Sequence, residues 1–319
     1  MSTENTLFPE LMEQHEEVKP RFRGYLASPF IAAALPLKDV NKPVFERKYN
    51  NIILRLTSDS KVPFGRYGRL LLSILTTHAV IEKNSKNDGP VTLTYRTLQE
   101  LLDELQLPKQ RGKDIKEQLE CFAGASFVFK EKRTKVTQKL LFKDFYEDGE
   151  KMDGEVTATQ FTTGIVPFFE SMQYIDLKEK GRDRKSVGIT IILSEKFRQL
   201  SQVHSVPIDY TAYKEISSAV GKDLYAWFVY KNNSLTDEPV FIQRSALVNQ
   251  FLPLKENNYE SEERVNWNTI KEQINLIKKK YYQNLNVSIA QDNSGITISK
   301  SEPVILENDT RYVLVTSTL

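Results

Sequence analysis

The chain has 319 residues, of which 40% are hydrophobic and 27% are charged, and its formal net charge is +2. A chain of this length can bury two cores of ordinary domain size, so we expect two domains. The single cysteine, Cys121, excludes an intramolecular disulfide and any multi-cysteine zinc or iron–sulfur site. No apolar run reaches the roughly 20 residues that span a bilayer, and the N-terminus lacks the order of a secretion signal. We therefore expect a cytoplasmic protein.

The N-terminal part of the chain gives little periodic signal. Residues 1–19 hold five Glu against one Lys, and no hydrophobic pattern continues to residue 40. We expect an acidic, flexible arm over residues 1–40. Residues 44–57, with Asn50 and Asn51 at their centre, predict a hairpin that is attached to the following domain.

A first domain is expected over residues 41–203. Helices are predicted over 69–83, 96–105 and 112–122, with a short strand over 91–94 between the first two. The segments SFVFKEK (126–132) and QKLLFKDF (138–145) predict the two strands of a hairpin. The Thr-rich residues 151–166 predict a surface loop, and the acidic stretch 144–155 precedes it. A strand over 186–193 then leads into a helical segment over 195–203.

A second domain is expected over residues 204–303, followed by a C-terminal tail over 304–319. Helices are predicted over 222–231 and 244–252, with the extended piece VFIQ between them. The best-defined helix begins at Trp267, since apolar residues recur there at spacings of three and four: Trp267, Ile270, Ile274, Ile277 and Tyr281. NVSIA and GITIS then alternate around QDNSG, which predicts a hairpin.

The same order of elements is therefore predicted twice. The tetrapeptide IKEQ occurs at 115–118 and again at 270–273, each time in a helix that leads into strands. Helix, short strand, helix, helix and β-hairpin is the order of a winged helix, a helix-turn-helix followed by a hairpin wing. The predicted fold class is α+β, with two tandem winged-helix domains.

The helix that begins at Trp267 is the predicted reader of DNA. A helix-turn-helix places one helix in the major groove, where its outward side chains meet base edges. Amides pair with adenine, a carboxylate accepts from cytosine, and lysines reach phosphates or guanine. The residues predicted to contact DNA are Asn268, Lys271, Glu272, Asn275, Lys278, Lys279 and Tyr282. The alternative is the solvated face of an ordinary Lys-rich surface helix.

The first domain carries a different pattern of charge. On its third helix Lys113 and Lys116 alternate with Glu117 and Glu120, which favours a solvated or protein-contacting face. The run KEKRTK lies at the tip of the predicted wing and can hold the phosphate backbone without reading sequence. We expect Lys113, Lys116, Lys130, Lys132, Arg133 and Lys135 to contact DNA as backbone anchors, and the domain to contact the DNA backbone or a protein partner.

No pattern in the sequence favours catalysis. The chain lacks a GxxxxGK[ST] segment, and GKD at 221–223 has neither the upstream glycine nor the hydroxyl residue that cradle a triphosphate. His15, His78 and His204 are too far apart in sequence for a HxxxH or HxH metal pair, and His78 is expected in a core. Cys121 is expected to pack rather than react. We expect a protein that is not an enzyme and that has no cofactor and no metal.

Several segments together resemble the RepA-type plasmid replication initiators. The resemblance depends on VPFGRYGRLLLSILTTHAV (62–80), TLQELLDELQLPKQRGKDIKEQLECFAGASF (97–127), ITIILSEKFRQL (189–200) and VPIDYTAYKEISSAVGKDLYAWFVYKNN (206–233), and it covers roughly residues 45–300. It implies tandem winged helices that bind repeated double-stranded sites at a plasmid origin. It also implies recruitment of a host initiator ATPase and the replicative helicase, regulation of the protein's own promoter, and exchange between monomer and homodimer.

Three other functions compete with this one. A winged-helix transcriptional regulator would use the same domains, and a replication adaptor would turn both basic regions toward acidic protein partners. A rolling-circle nicking enzyme would form a covalent tyrosine–DNA product, but the chain lacks the clustered metal ligands that such cleavage requires.

Overall fold

The computed structural model describes residues 21–49, 52–81, 89–131, 165–177, 185–252, 259–306, 310 and 312–315. Within these ranges the fold is α+β, as predicted. The elements up to residue 131 are β1 (Arg21–Ala27), α1 (Ser28–Ala32), β2 (Val44–Tyr49), β3 (Ile52–Ser58), α2 (Gly65–Ile81), β4 (Thr92–Tyr95), α3 (Leu98–Glu104), α4 (Gly112–Ala123) and β5 (Ala125–Glu131).

The remaining elements begin at residue 166. They are β6 (Val166–Pro167), β7 (Phe169–Leu177), β8 (Lys185–Leu193), α5 (Glu195–Val203), β9 (Ser205–Asp209), α6 (Tyr210–Glu215), α7 (Ala219–Ser234), β10 (Val240–Gln243), α8 (Arg244–Phe251), α9 (Tyr259–Leu276), β11 (Val287–Ile289), β12 (Gly295–Ile298) and β13 (Tyr312–Leu314). One π-helical turn, Ile277–Tyr281, continues α9.

One arrangement of elements occurs twice. In the first repeat unit, α2, β4, α3 and α4 are followed by the antiparallel strands β7 and β8, and the sheet order is β4-β8-β7. In the second repeat unit, α7, β10, α8 and α9 are followed by the hairpin β11–β12, and the sheet order is β10-β12-β11. In each unit the strand between the first two helices pairs antiparallel with the last strand of the unit. The predicted repetition therefore extends to the pairing of the strands.

The hairpin predicted over 126–145 in the first unit is described only for its first strand. The segment 126–132 falls mainly in β5, which pairs with β3 and β6 in a four-stranded sheet of order β2-β3-β5-β6. The β2–β3 hairpin predicted over 44–57 is present, and it provides the edge against which β5 pairs. The strand pair that closes the first unit is instead β7–β8. The segments 132–164 lie outside the described residues, and with them the predicted second strand over 138–145 and the acidic stretch over 144–155.

The prediction of a flexible arm over 1–40 is wrong for residues 21–36. Strand β1 pairs antiparallel with β9 and parallel with β13, so one three-stranded sheet joins both ends of the described chain. Ser28 to Leu35 are all buried. The physical reason is that SPFIAAALPL contributes apolar surface to the core without showing a helical or strand period. The tail predicted over 304–319 likewise contains β13.

The IKEQ segments have the same structural role in both units. Gln118 Oε1 accepts a hydrogen bond from the backbone N–H of Phe64, at 2.9 Å, where α2 begins. Gln273 Oε1 accepts one from the hydroxyl of Ser218, at 2.7 Å, and Ser218 caps the first turn of α7. Each glutamine thus holds the third helix of its unit against the start of the first helix.

A glycine faces each of these glutamines. A Cβ on Gly68 would lie 2.8 Å from Gln118 Oε1, and a Cβ on Gly221 would also overlap Gln273 Oε1. Because glycine has no Cβ, the first and third helices can approach closely at these two points. Both units therefore have the same close contact between a glycine on the first helix and a glutamine on the third.

Candidate nucleic-acid interface

The α9 helix of the second unit separates an apolar face from a polar one. Trp267, Ile270 and Ile274 are each at most 1% exposed, and Ile277 continues the buried row into the π-helical turn. Side chains three and four residues apart share a helix face, so this spacing fixes which side of α9 meets the core. The predicted stripe from Trp267 to Tyr281 is confirmed as buried.

The opposite face of α9 is an exposed stripe that we call the α9 outer face. It consists of residues that recur at the same alternating spacing and are all exposed: Val265, Asn268, Glu272, Asn275 and Lys279. Four of them were predicted from the sequence, and the structure brings those four onto one face. Amide, carboxylate and ammonium groups in one row can hydrogen-bond to base edges and phosphates.

The N-terminal end of this face was missed by the sequence analysis. The helix begins at Tyr259, eight residues before Trp267, so Arg264 and Val265 also lie on α9 and are exposed. Val265 is 62% exposed, which is unusual for a large apolar side chain on a helix surface. The sequence could have indicated this extension, because Val265 lies three residues before Asn268. The Glu-rich stretch 260–263 has no apolar residues that would continue the helical period.

Two of the predicted lysines are held against the β11–β12 hairpin. Lys271 Nζ donates a hydrogen bond to Asn293 Oδ1 at 2.8 Å, and Trp267 Nε1 donates to the same oxygen at 3.4 Å. Lys278 Nζ donates to the backbone carbonyl of Val287 at 2.9 Å. Each ammonium group has three N–H donors, so a donor remains for a phosphate oxygen. These contacts set the position of the hairpin relative to α9.

The π-helical turn presents three consecutive lysines, Lys278, Lys279 and Lys280, all of them exposed. Lys280 lies 3.3 Å from Glu215, and its hydrogen bond to that carboxylate raises the pKa of Lys280. Lys279 lies at the C-terminal end of the α9 outer face. Cationic side chains at this end also meet the partial negative charge of the helix C-terminus.

The prediction that Tyr282 lies on the outward face is wrong. Its side chain is 4% exposed, and its hydroxyl donates a hydrogen bond to the carbonyl of Glu302 at 2.7 Å. Burial raises the pKa of Tyr282 to about 12. The π-helical turn ends at Tyr281, so the helical period that would place Tyr282 beside Lys278 and Lys279 does not continue to it.

In the first unit, α4 carries the mixed charge predicted from its sequence. Lys113 is exposed, whereas Lys116 Nζ lies 4.3 Å from the centre of the Tyr174 ring on β7. Glu117 lies 3.3 Å from Lys61, and Glu120 is exposed. Lys116 thus connects α4 to the strand pair of its own unit, much as Lys271 connects α9 to its hairpin.

The predicted anchors of the wing tip do not form a wing where the structure describes them. Lys130 lies on β5, opposite Ile53 of β3, and is half-buried. Lys132, Arg133 and Lys135 lie outside the described residues. The DNA contacts of these four residues stay predictions. The strand pair that joins β4 in the described part of the first unit is β7–β8.

A second basic group lies at the start of α4 and was not predicted. Arg66 and Arg111 both approach the ring of Tyr67, at 4.5 and 5.8 Å from its centre. Lys109 and Lys113 are exposed on either side of Arg111. The segment KQRGK carried the signal, but Arg66 joins the group only through the packing of α2 against α4. This group can hold phosphates without reading bases.

Two other side chains considered in the sequence analysis, Cys121 and His78, are buried or hydrogen-bonded. Cys121 is buried, and burial raises the pKa of its thiol to about 11, which disfavours the nucleophilic thiolate. His78 Nε2 lies 2.7 Å from Glu104 Oε1, and Glu104 is fully buried between His78 and the hydroxyl of Tyr95. Among the described residues, no three His, Cys, Asp or Glu side chains are grouped so that they could hold a metal ion.

No helix in the described part of the chain combines the length and the apolar character needed to cross a membrane. No protein-family model matches the sequence, and no curated protein matches it either.

Solved structures give weak likenesses over most of the chain. Domains 2 and 3 of RctB, as a selenomethionine derivative, cover 86% of this chain and 99% of their own at 13% identity, with a TM-score of 0.49. A second structure of RctB domains 2–3 covers 85% and 96% at 11% identity, with a TM-score of 0.43. The Pi initiator protein in complex with iteron DNA covers 91% and 99% at 11% identity, with a TM-score of 0.45.

Proposed function

We propose that the two repeat units are tandem winged helices and that the chain is a plasmid replication initiator. In this proposal the second unit reads repeated sites in double-stranded DNA through the α9 outer face, and the first unit contacts the phosphate backbone. The proposed ligand is DNA of the kind bound in the structure of the Pi initiator protein, which was solved in complex with iteron DNA. The support comes from this chain's own residues.

The observation that carries the proposal is the α9 outer face. Five exposed residues, one apolar and four polar or charged, stand in a single row opposite a fully buried row on the same helix. A helix in the major groove presents such a row to base edges, and its N-terminal residues enter deepest. The β11–β12 hairpin is fixed beside it by Lys271 and Lys278. In this proposal that hairpin is the wing beside the reading helix.

The charges of the two units favour different contacts. On the α9 outer face amides alternate with Glu272 and Lys279, a combination that can discriminate between bases. At the start of α4, Arg66 and Arg111 lie against the Tyr67 ring, and Lys109 and Lys113 are exposed nearby in the sequence. Cations predominate in this group, a combination that anchors phosphates. We therefore assign sequence reading to the second unit and backbone contact to the first.

The wider role follows from the sequence resemblance. We propose that the protein marks a plasmid origin in the bacterial cytoplasm, recruits a host initiator ATPase and the replicative helicase, represses its own promoter, and exchanges between monomer and homodimer. We also propose that it performs no chemistry itself. These roles depend on DNA binding and are tested after it.

The test is fluorescence anisotropy of the purified full chain on duplexes tiled from the DNA that flanks its own gene, at two salt concentrations, with scrambled duplex as control. The proposal predicts tight binding to a repeated element and an affinity that falls with salt as several phosphates are neutralised. Equal, weak binding to every duplex would contradict it and favour the replication adaptor. A single operator without repeats would favour the transcriptional regulator.

A further inference from the structure

The two repeat units are joined through their first helices by a buried ion pair. Arg69 of α2 donates from Nε to Asp223 Oδ1 at 2.6 Å and from Nη2 to Asp223 Oδ2 at 2.7 Å. The two side chains are 3% and 5% exposed. A bidentate pair of this kind fixes both the distance and the relative rotation of the groups that carry it.

Arg69 uses all five of its N–H donors. Besides the two bonds to Asp223, Nη1 donates to the carbonyls of Pro36 and Gly65, both at 2.9 Å, and Nη2 donates to the carbonyl of Leu35 at 2.6 Å. The guanidinium plane is therefore set by α2 itself and by the segment that follows α1. Lysine could not replace it, because one ammonium group has three donors and no planar fork.

Hydrogen bonds also join α4 to α2 and α9 to α7 at the starts of these two first helices. Gln118 of α4 is bound to the start of α2, and Gln273 of α9 is bound to Ser218 at the start of α7. Arg69 and Asp223 lie one turn further along α2 and α7. The two helices that face DNA in the proposed function are thus connected through their first helices, which this ion pair joins inside a hydrophobic core that both units share.

We propose that Arg69 and Asp223 are a positioning pair that fixes the separation of α4 and α9 and thereby makes the protein selective for the spacing between two segments of one duplex site. This inference rests on the proposed function for its DNA part and on the protein alone for its geometric part. The two residues touch no base or phosphate themselves. They act by setting where the two DNA-facing helices stand.

The test uses a double substitution, because removing one partner would leave a buried charge unpaired and could unfold the chain. Arg69→Met/Asp223→Leu replaces both groups by apolar side chains of similar length. The matched control is Arg244→Gln/Glu263→Gln, which removes the 2.7 Å ion pair between α8 and α9 inside the second unit. Circular dichroism and thermal melting establish that each variant is folded.

The first readout needs no DNA. Spin labels are placed at the exposed positions Lys113 and Asn268, each changed to cysteine in a Cys121→Ser background, and the distance distribution between them is measured by pulsed electron paramagnetic resonance. The proposal predicts a broader distribution in the Arg69→Met/Asp223→Leu protein and an unchanged one in the control. If the distance distribution in this variant were as narrow as in the protein that keeps Arg69 and Asp223, the inference would be overturned.

The second readout uses a duplex that the wild-type protein selects from randomised sequence, in which footprinting locates the two protected segments. Inserting 2 bp between them displaces one segment by about 7 Å and rotates it by about 70°. We expect this insertion to weaken wild-type binding by about tenfold or more, and to have a much smaller effect on the Arg69→Met/Asp223→Leu protein. Equal sensitivity of both proteins, or a footprint of only one segment, would overturn the inference.

The two readouts separate this inference from the proposed function. A wild-type protein that binds no duplex would contradict the proposed function, while the label distances would still decide whether the pair positions α4 and α9. A wild-type protein that selects a site but tolerates the insertion would leave DNA reading intact and remove the spacing role of Arg69 and Asp223.

Discussion

Lys271 and Asn293 join the middle of α9 to the turn of the β11–β12 hairpin, with Nζ and Oδ1 2.8 Å apart. Asn293 has a φ of +60°, a left-handed conformation that asparagine tolerates better than most residues. The same oxygen also receives the indole N–H of Trp267. One side chain in the turn therefore keeps the hairpin beside the helix that we propose reads DNA.

This arrangement predicts a graded response at Asn293. Asn293→Gly keeps the left-handed backbone but loses the bonds to Lys271 and Trp267, so we expect a loss of about 1 kcal/mol in the free energy of unfolding. Asn293→Ala loses the same bonds and adds a strained φ, for a further cost of about 1 to 2 kcal/mol. Chemical denaturation of both variants measures the difference. Equal stability of the two would argue against backbone strain at this position.

Val265 is predicted to contact a thymine methyl group. It is the apolar member of the α9 outer face, in the N-terminal half of the helix that we propose enters the groove. Replacing the contacted thymine by uracil removes one methyl group and should weaken wild-type binding about fourfold. Val265→Ala should bind more weakly and no longer distinguish thymine from uracil. The measurement is a titration of duplexes with uracil at one position at a time. A wild-type protein indifferent to every such replacement would exclude this role.

Asn275 and Lys279 are predicted to differ in the kind of binding energy they supply. Asn275→Ala should flatten discrimination at one base pair by about 1 to 3 kcal/mol. Lys279→Ala should weaken binding to all sequences alike and reduce the slope of log K against log salt by about 0.9. Competition titrations over single-base variants, repeated at several salt concentrations, separate the two effects. An Asn275→Ala protein with its full sequence preference would remove that residue from the reading face.

Gly68 and Gln118 are predicted to be coupled. Gly68→Ala places a Cβ against Gln118 Oε1 and should destabilise the protein by about 1 to 3 kcal/mol. Gln118→Ala removes the overlapping atom together with the bond to Phe64. If the overlap is the cause, the double variant should be less destabilised than the sum of the two single variants. A double-mutant cycle by thermal or chemical unfolding tests this, and strict additivity would show that the two residues do not interact.

Replacing Arg47 by an apolar residue is predicted to stabilise the protein. It is 4% exposed, its Nε and Nη1 have no hydrogen-bond partner in the described part of the chain, and burial lowers its pKa to about 10. Arg47→Met should raise the free energy of unfolding by about 1 kcal/mol, because a buried cation is replaced by an apolar chain. The folded-state pKa lies below the unfolded one, so the penalty is fully present below pH 10 and fades above it. The gain should therefore be constant from pH 7 to 9, and a loss of stability on substitution would show that the attraction between Arg47 and Asp223 outweighs the cost of burial.

The sequence predicts the second unit better than the first for a physical reason. The stripe from Trp267 to Tyr281 and the QDNSG turn are local signals, and the elements they predict are adjacent in the chain. The strand pair of the first unit is separated from α4 by more than forty residues, and the alternation in 126–129 fits any sheet. Pairing of β5 with the earlier strand β3 is decided by long-range packing, which no local period reveals.

The buried contacts between the units could not be predicted from the sequence either. Nothing in GRYGRLLL or GKDLYAW indicates that Arg69 and Asp223 meet, since that contact depends on how two distant helices pack. Likewise SPFIAAALPL has no period, and its burial follows from the pairing of β1 with β9 and β13. The IKEQ repeat was visible in the sequence, but its glutamine contacts could be assigned only from the structure.

The central claim is that α9 enters the groove of its DNA site, and affinity cleavage tests it most directly. A cysteine at Asn268 in the Cys121→Ser background carries an iron chelate, and the labelled protein is bound to the repeated site, with unlabelled Cys121→Ser protein plus free chelate as control. The account predicts cleavage of both strands at one position within each repeat. Binding without localised cleavage would contradict it, because the α9 outer face would then point away from the duplex.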